Sequence, residues 1–142
     1  MHIAKQMGDA LQASARSTNI KERLDFSCAL FNPKGELIAN APHIPVHLGS
    51  MDTCVQHLLS TQQAGLLQGN SYASNSPFAG GTHLPDITVV SPLLHPATGE
   101  LICLLASRAH HADIGGISPG SMPPDSKTID DEGIIFDGFC LV

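Results

Sequence analysis

The chain has 142 residues and a mass of 14.9 kDa, which is room for one domain. Seven Lys and Arg against thirteen Asp and Glu give a formal net charge of -6, which argues against nucleic-acid binding through a basic face. No run approaches the roughly 18 apolar residues of a membrane span. Charged residues are only 14% of the chain, below the roughly 25% of ordinary soluble domains, as in a piece of a larger protein whose surface is partly covered.

Ile3, Met7, Ala10 and Leu11 share one face at helical spacing, so residues 2–15 read as an amphipathic helix. Leu24, Phe26, Cys28 and Leu30 alternate onto one side of a half-buried strand over 24–31. Asn32-Pro33-Lys34-Gly35 supplies a turn, and Leu37-Ile38-Ala39 returns as the second strand of a hairpin. Met51, Val55, Leu58 and Leu59 form the stripe of a second helix over 50–62, with Ser50 as N-cap. Residues 64–82 read as a polar, Gly-rich loop with a short strand near 71–73.

Ile87 to Leu94 and Leu101 to Ala106 are apolar runs on either side of the turn His95-Pro96-Ala97-Thr98-Gly99. They read as a second hairpin, and their near-continuous hydrophobicity predicts cover on both faces. Residues 112–128, rich in Gly and Pro, are a long loop of the kind that often carries function. Gly133 to Val142 alternates weakly and reads as a last strand. The fold class is therefore α+β: two β-hairpins, two amphipathic helices and long Gly/Pro-rich loops, making a partial domain. Cysteines 28, 54, 103 and 140 form no C-x-x-C pair and read as reduced thiols. The segment 1–16 has no signal-peptide pattern, so a cytoplasmic location is expected.

Eight histidines are present, and their placement matters more than their number. His83-x-x-Asp86 precedes the first strand of the second hairpin, and His110-His111-x-Asp113 follows its second strand. With the turn centred near Ala97, residues whose numbers sum to about 194 face each other across the pair. His83 then falls opposite His111, and Asp86 opposite Arg108. Imidazoles beside carboxylates suit a divalent transition metal such as Mn, Fe or Zn, so His83, Asp86, His110 and His111 are the candidate ligands. Gly80-Gly81 and Gly115-Gly116 would let backbone approach a ligand. Arg108 is suited to a substrate carboxylate or phosphate, or to balancing Asp86. His43 and His47 form a second cluster, and the first hairpin places His43 near Leu24 and Asp25. Arg108, His47 and Asp113 are the candidate catalytic residues.

Other motifs fail. Gly116-Ile117-Ser118-Pro119-Gly120 matches G-x-S-x-G by letter, but Pro119 has no N–H to offer an oxyanion and no helix pattern follows. No phosphate loop is present, so nothing in the chain would hold ATP unaided. Asp130-Asp131-Glu132 reads as a solvated acidic run.

Four long motifs occur in order: 17–31 (Ser17 to Phe31), 40–51 (Asn40 to Met51), 80–86 (Gly80 to Asp86), and 107–116 (Ser107 to Gly116) continuing through 119–124. Together they resemble the hydantoinase B/oxoprolinase family, in the wording of its ATP-dependent 5-oxoprolinase branch. The resemblance implies one part of a two-half hydrolase acting on cyclic amides. A hydantoinase A-type half would bind ATP and Mg and activate the substrate carbonyl. The half resembled here would complete the conversion, opening the lactam of 5-oxo-L-proline to L-glutamate with ATP hydrolysis. The family's metal-site motifs fall on His83, Asp86 and the His110-His111 pair. The resemblance places residues 1–142 as an N-terminal fragment of the family's much longer half-enzyme. Many members have Asp or His where this chain has Ser76. An N-methylhydantoinase or acetone-type carboxylase subunit, or a non-catalytic remnant, are the alternatives.

Low charge and strands without neighbours predict that the isolated chain associates. Size-exclusion chromatography checks this: oligomer or aggregate is expected, and a clean monomer with a sharp two-state melt would contradict it.

Overall fold

The computed structural model describes residues 2–41, 47–62 and 65–142, without the side chain of Leu48. The chain runs through helix α1 (His2–Ser14), a single turn α2 (Thr18–Lys21), strands β1 (Phe26–Phe31) and β2 (Leu37–Asn40), and helix α3 (Leu48–Thr61). It continues through β3 (Tyr72–Ser74), a 3-10 turn (Pro77–Ala79), the long strands β4 (Asp86–Leu94) and β5 (Leu101–His110), α4 (Ile129–Glu132) and β6 (Phe139–Cys140). The strands make one antiparallel sheet in the order β2-β1-β5-β4-β3-β6. The fold is α+β.

Each face of the sheet carries a helix. Met51, Val55 and Leu58 of α3 pack on Ala29, Phe31, Tyr72, Val90, Leu104 and Ala106. On the opposite face, Ala4, Met7 and Leu11 of α1 meet Phe26, Cys28 and Leu30. β1 is therefore buried at all six positions, not half-buried as its alternation predicts. It lies between β2 and β5, and both helices reach it. Cover on β4 is unequal: its α3 side is buried and its other side only half-buried. The last strand is limited to Phe139–Cys140.

The second hairpin pairs Asp86 with His110 and Thr88 with Arg108, two residues away from the expected register. A two-residue slip keeps every side chain on its own face, because the pleat repeats every two residues. Both strands also run further than their apolar cores predict. β5 continues through Ser107, Arg108, Ala109 and His110, since β1 pairs with it from Phe26↔Ala109 to Phe31↔Leu104.

Of the glycines expected to approach a ligand, Gly80, Gly81 and Gly116 lie against the protein's own backbone. A Cβ on Gly80, whose φ is +79°, would run into the backbone of Thr53 and Cys54 within α3. One on Gly81 would meet the carbonyls of Asn75 and Ser76, and one on Gly116 would lie 2.7 Å from Pro123 Cγ and 2.8 Å from the Glu132 carbonyl. Gly80→Ala is expected to cost ~2–4 kcal/mol, combining left-handed strain with a backbone collision. Gly99→Ala, at φ +73° with nothing within 4 Å, should cost only ~1–2 kcal/mol. Urea unfolding of both variants measures the difference.

Candidate metal centre

Asp86 opens β4 and His110 closes β5, so their pairing sets them side by side on the α3 face of the sheet. His110 Nδ1 lies 3.2 Å from Asp86 Oδ1. The segment before β4 folds back on itself, with Asp86 N–H donating to the His83 carbonyl at 3.0 Å. That turn carries the H-x-x-D spacing into contact: His83 Nδ1 sits 2.9 Å from Asp86 Oδ2. The Thr82 hydroxyl donates to the same oxygen at 2.6 Å. The two imidazole rings tilt toward each other with centroids 4.9 Å apart.

Burial alone would raise the Asp86 carboxyl, which is 2% exposed. The hydrogen bonds from His83 and Thr82 and the charges of His83 and His47 outweigh it and hold Asp86 well below the ordinary carboxylate range. The same hydrogen bond raises His83, against the opposing effect of burial. His47 is lowered, chiefly by burial, and partly restored by Asp86 and Asp25. His111 is also lowered, by burial first and the charge of His110 second.

Asp25 joins this group, although its spacing in the chain gave no sign of it. Its Oδ2 is 4.0 Å from His110 Nδ1 and its Oδ1 is 3.8 Å from His47 Nε2. The cause is the β1–β5 pairing, continued by His110 N–H donating to the Asp25 carbonyl at 3.0 Å. Leu24, just before it, holds φ +56°, a left-handed conformation that costs a branched side chain ~1–2 kcal/mol. His47 Nε2 is 3.7 Å from Asp86 Oδ2, and its Nδ1 is 3.3 Å from the Ser27 hydroxyl. His43 lies outside the described residues.

Arg108 is fully buried. Its Nε donates to Thr88 Oγ1 at 2.7 Å, Nη1 to Ser50 Oγ at 2.5 Å and the His47 carbonyl at 3.4 Å, and Nη2 to the Gly80 carbonyl at 2.8 Å. It thus binds β4, the start of α3 and the Gly80 turn to one point. Ser50 serves Arg108 and is not the N-cap, a position His47 takes. Burial lowers the guanidinium's pKa, and the neighbouring Cys54 and Asp86 support its charge.

Two candidates stand apart from the donors gathered on Asp86. His111 follows the strand alternation onto the opposite face, where it lines a groove with Ile87, Val89 and Ala109. Asp113 is exposed, and its carboxylate accepts the N–H groups of Gly115 at 2.8 Å and Gly120 at 3.2 Å. Those two bonds lower its pKa and fold the 113–120 loop. Asp131 likewise caps α4 in a capping box with Thr128.

Two imidazoles and a carboxylate are donors that Zn, Mn and Fe accept. Among the described residues, one donor atom each from His83, Asp86 and His110 lie within 4.8 Å of one another. Ligands on one tetrahedral ion at ~2.0–2.2 Å stand about 3.3–3.6 Å apart, so side-chain shifts on the order of an ångström close the set. The residues present fit a divalent metal.

Without metal, the His83–Asp86 pair stabilises the fold over a defined window. His83 is raised above its ordinary 6.5, so its contribution is full below that value and is lost as pH rises through the folded value. Asp86 is depressed below 3.8, so its contribution is full above that value and is lost as pH falls. Thermal melts in EDTA should show the pair's contribution at full strength between about pH 4 and 6.5. His83→Gln should remove the alkaline-side decline that belongs to this pair, and an unchanged profile would refute the coupling.

The whole chain, residues 1–142, matches the hydantoinase B/oxoprolinase family. It is 59% identical over 133 residues to 5-oxoprolinase of Saccharomyces cerevisiae, covering 94% of this chain and 10% of that protein. It is 55% identical over its full 142 residues to 5-oxoprolinase 1 of Arabidopsis thaliana, 11% of that protein. The chain thus spans about a tenth of the length of these curated relatives. An ATP-dependent caprolactamase from Pseudomonas jessenii superposes with a TM-score of 0.77 at 26% identity, over 99% of this chain and 25% of the other. A nucleotide-free acetone carboxylase superposes at 0.86 with 20% identity, over 95% and 18%, a likeness of fold. This chain belongs to the hydantoinase B/oxoprolinase family.

Proposed function

We propose that the chain is the N-terminal part of a hydantoinase B-type half-enzyme and supplies the metal-holding end of a 5-oxoprolinase-type hydrolase. The observation that carries this reading is the convergence of His83 and His110 on Asp86, in a chain 55% to 59% identical to two 5-oxoprolinases. The substrate is then a cyclic amide, 5-oxo-L-proline in first place, opened to L-glutamate with ATP hydrolysis. ATP and Mg belong to a hydantoinase A-type half, with which this chain works in an oligomeric, cytoplasmic assembly. No described helix is long and apolar enough to cross a membrane.

His83, Asp86 and His110 would hold a divalent ion, Mn, Fe or Zn, which supplies Lewis-acid polarisation of a carbonyl or phosphoryl oxygen when bound. Asp86 stays ionised at every working pH because its hydrogen bonds oppose protonation. Thr82 fixes which Asp86 oxygen faces His83, a supporting contact that orients a ligand. Asp25 brings a second carboxylate to His110 and His47 and is the candidate fourth donor. His47, whose pKa burial lowers, presents Nε2 toward both carboxylates and can accept a proton there. Arg108 acts through position: its bonds to Ser50, the His47 carbonyl and the Gly80 carbonyl hold those elements over the carboxylates. Asp113 orders the loop that follows His110.

Elemental analysis of the purified protein is expected to find about one divalent transition-metal ion per chain, lost in His83→Ala. Thr82→Ala should retain the ion with ~10–100-fold weaker affinity. Turnover of 5-oxoproline against hydantoin, measured with the ATP-binding half present, separates a 5-oxoprolinase from an N-methylhydantoinase. Absence of metal at neutral pH, with unchanged folding in His83→Ala, would replace this reading with a non-catalytic remnant.

A further inference from the structure

On the His83 side of the metal centre lies a cavity of about 140 Å³. Pro85 and Pro123 wall it, and its polar lining is His83, Ser121, Ser126 and Glu132. The Ser126 hydroxyl is engaged, donating to the Pro123 carbonyl at 3.1 Å, and Ser121 carries no charge. Glu132 is partly buried, and its carboxylate makes no hydrogen bond or ion pair among the described residues. The other acids of α4 differ: Asp131 accepts the N–H groups of Lys127 and Thr128, both at 3.0 Å, and Asp130 is exposed. Backbone bonds, and not its own side chain, fix where Glu132 stands. Ile117 N–H donates to the Asp131 carbonyl at 2.8 Å, and Ile134 N–H to the Ile114 carbonyl at 3.0 Å. Asn75, fully buried, donates to the Leu84 carbonyl at 2.8 Å and the Ile134 carbonyl at 2.9 Å, and accepts the Phe136 N–H at 2.6 Å. One amide thus ties the residue after His83 to the residue two beyond Glu132.

A histidine that ligates a metal through one ring nitrogen carries an N–H on the other. A carboxylate that accepts this N–H fixes the ring and makes it a stronger ligand. His83 Nδ1 lies 2.9 Å from Asp86 Oδ2, so Nδ1 is the nitrogen that joins the other donors and Nε2 is left for the cavity. Glu132 is the carboxylate in that cavity, and its charge favours the charged form of His83. Building on the metal centre proposed above, we propose that Glu132 is a positioning residue for the ion: its carboxylate holds the His83 Nε2–H through water in the cavity and keeps Nδ1 aimed at Asp86 and His110. A bridging water transmits such a bond nearly as well as direct contact. The proline walls keep the bond in surroundings less screened than bulk water.

Titration of the metal-free 142-residue chain with Co²⁺, followed by its visible absorption, tests this by reading affinity and ligand geometry together. Glu132→Gln should bind Co²⁺ about tenfold more weakly and shift the absorption band. Glu132→Asp, which keeps the carboxylate, should restore the band and most of the affinity. Asp130→Asn makes the same change in net charge at an exposed position of the same helix and should leave both unchanged. The Glu132 side chain makes no hydrogen bond in the fold, so the melting temperature of Glu132→Gln in EDTA should match the parent. Parent-like affinity and spectrum in Glu132→Gln, an equal loss in Asp130→Asn, or no recovery in Glu132→Asp would each overturn this inference while the metal centre stands. No Co²⁺ binding by the parent chain would overturn the metal reading, and this inference with it.

Discussion

A buried guanidinium with no carboxylate in contact among the described residues organises this structure. A charge taken out of water must be met by hydrogen bonds or it destabilises the fold by several kcal/mol. Arg108 meets that demand with one hydroxyl on β4, one on α3 and two carbonyls, from His47 and Gly80. Those partners come from three separate stretches of chain, so satisfying the charge fixes where they stand. His47 and the Gly80 turn are the pieces that bracket Asp86. The constraint on Gly80 is steric as well: its carbonyl can reach Arg108 only because no Cβ separates it from α3.

The carboxylate of Asp86 is the second consequence. It is almost wholly buried and remains ionised because Thr82 and His83 donate to it. Asp25 adds a further negative charge next to His110 and His47. Two carboxylates and three imidazoles in so small a space form a balanced cluster only when some imidazoles are protonated or a cation takes part.

Much of this centre was legible in the sequence because it depends on a single hairpin. The turn at 95–99 and two apolar runs bring residues near 83–86 toward residues near 108–111, and the two-residue slip in register preserves which side chains share a face. That same parity removes His111 from the group: consecutive strand residues cannot both face one side. Asp25 was not legible as a member, because it depends on β1 pairing with β5 across the 69 residues between Phe31 and Leu101, and no local signal marks such a partner. The glycines misled for a related reason. Their spacing announces close approach, but what approaches Gly80 and Gly81 is the backbone of α3 and of the 75–76 segment, known only once the layers are assembled.

The same two strands thereby serve two environments. Asp86, Thr88, Arg108 and His110 make the α3 side of β4 and β5 polar and charged at one end, while Ile87, Val89 and Ala109 make the other side apolar. Hydrophobicity summed along these strands hides the division, since apolar residues occur on both sides and the charges occur on only one. A strand buried equally on both faces would be apolar throughout. β4 departs from that pattern at Asp86 and Thr88, and those are the positions that meet His83, His110 and Arg108. In this chain the polar interruptions of an apolar strand, more than any motif matched by letter, mark where the chemistry is held.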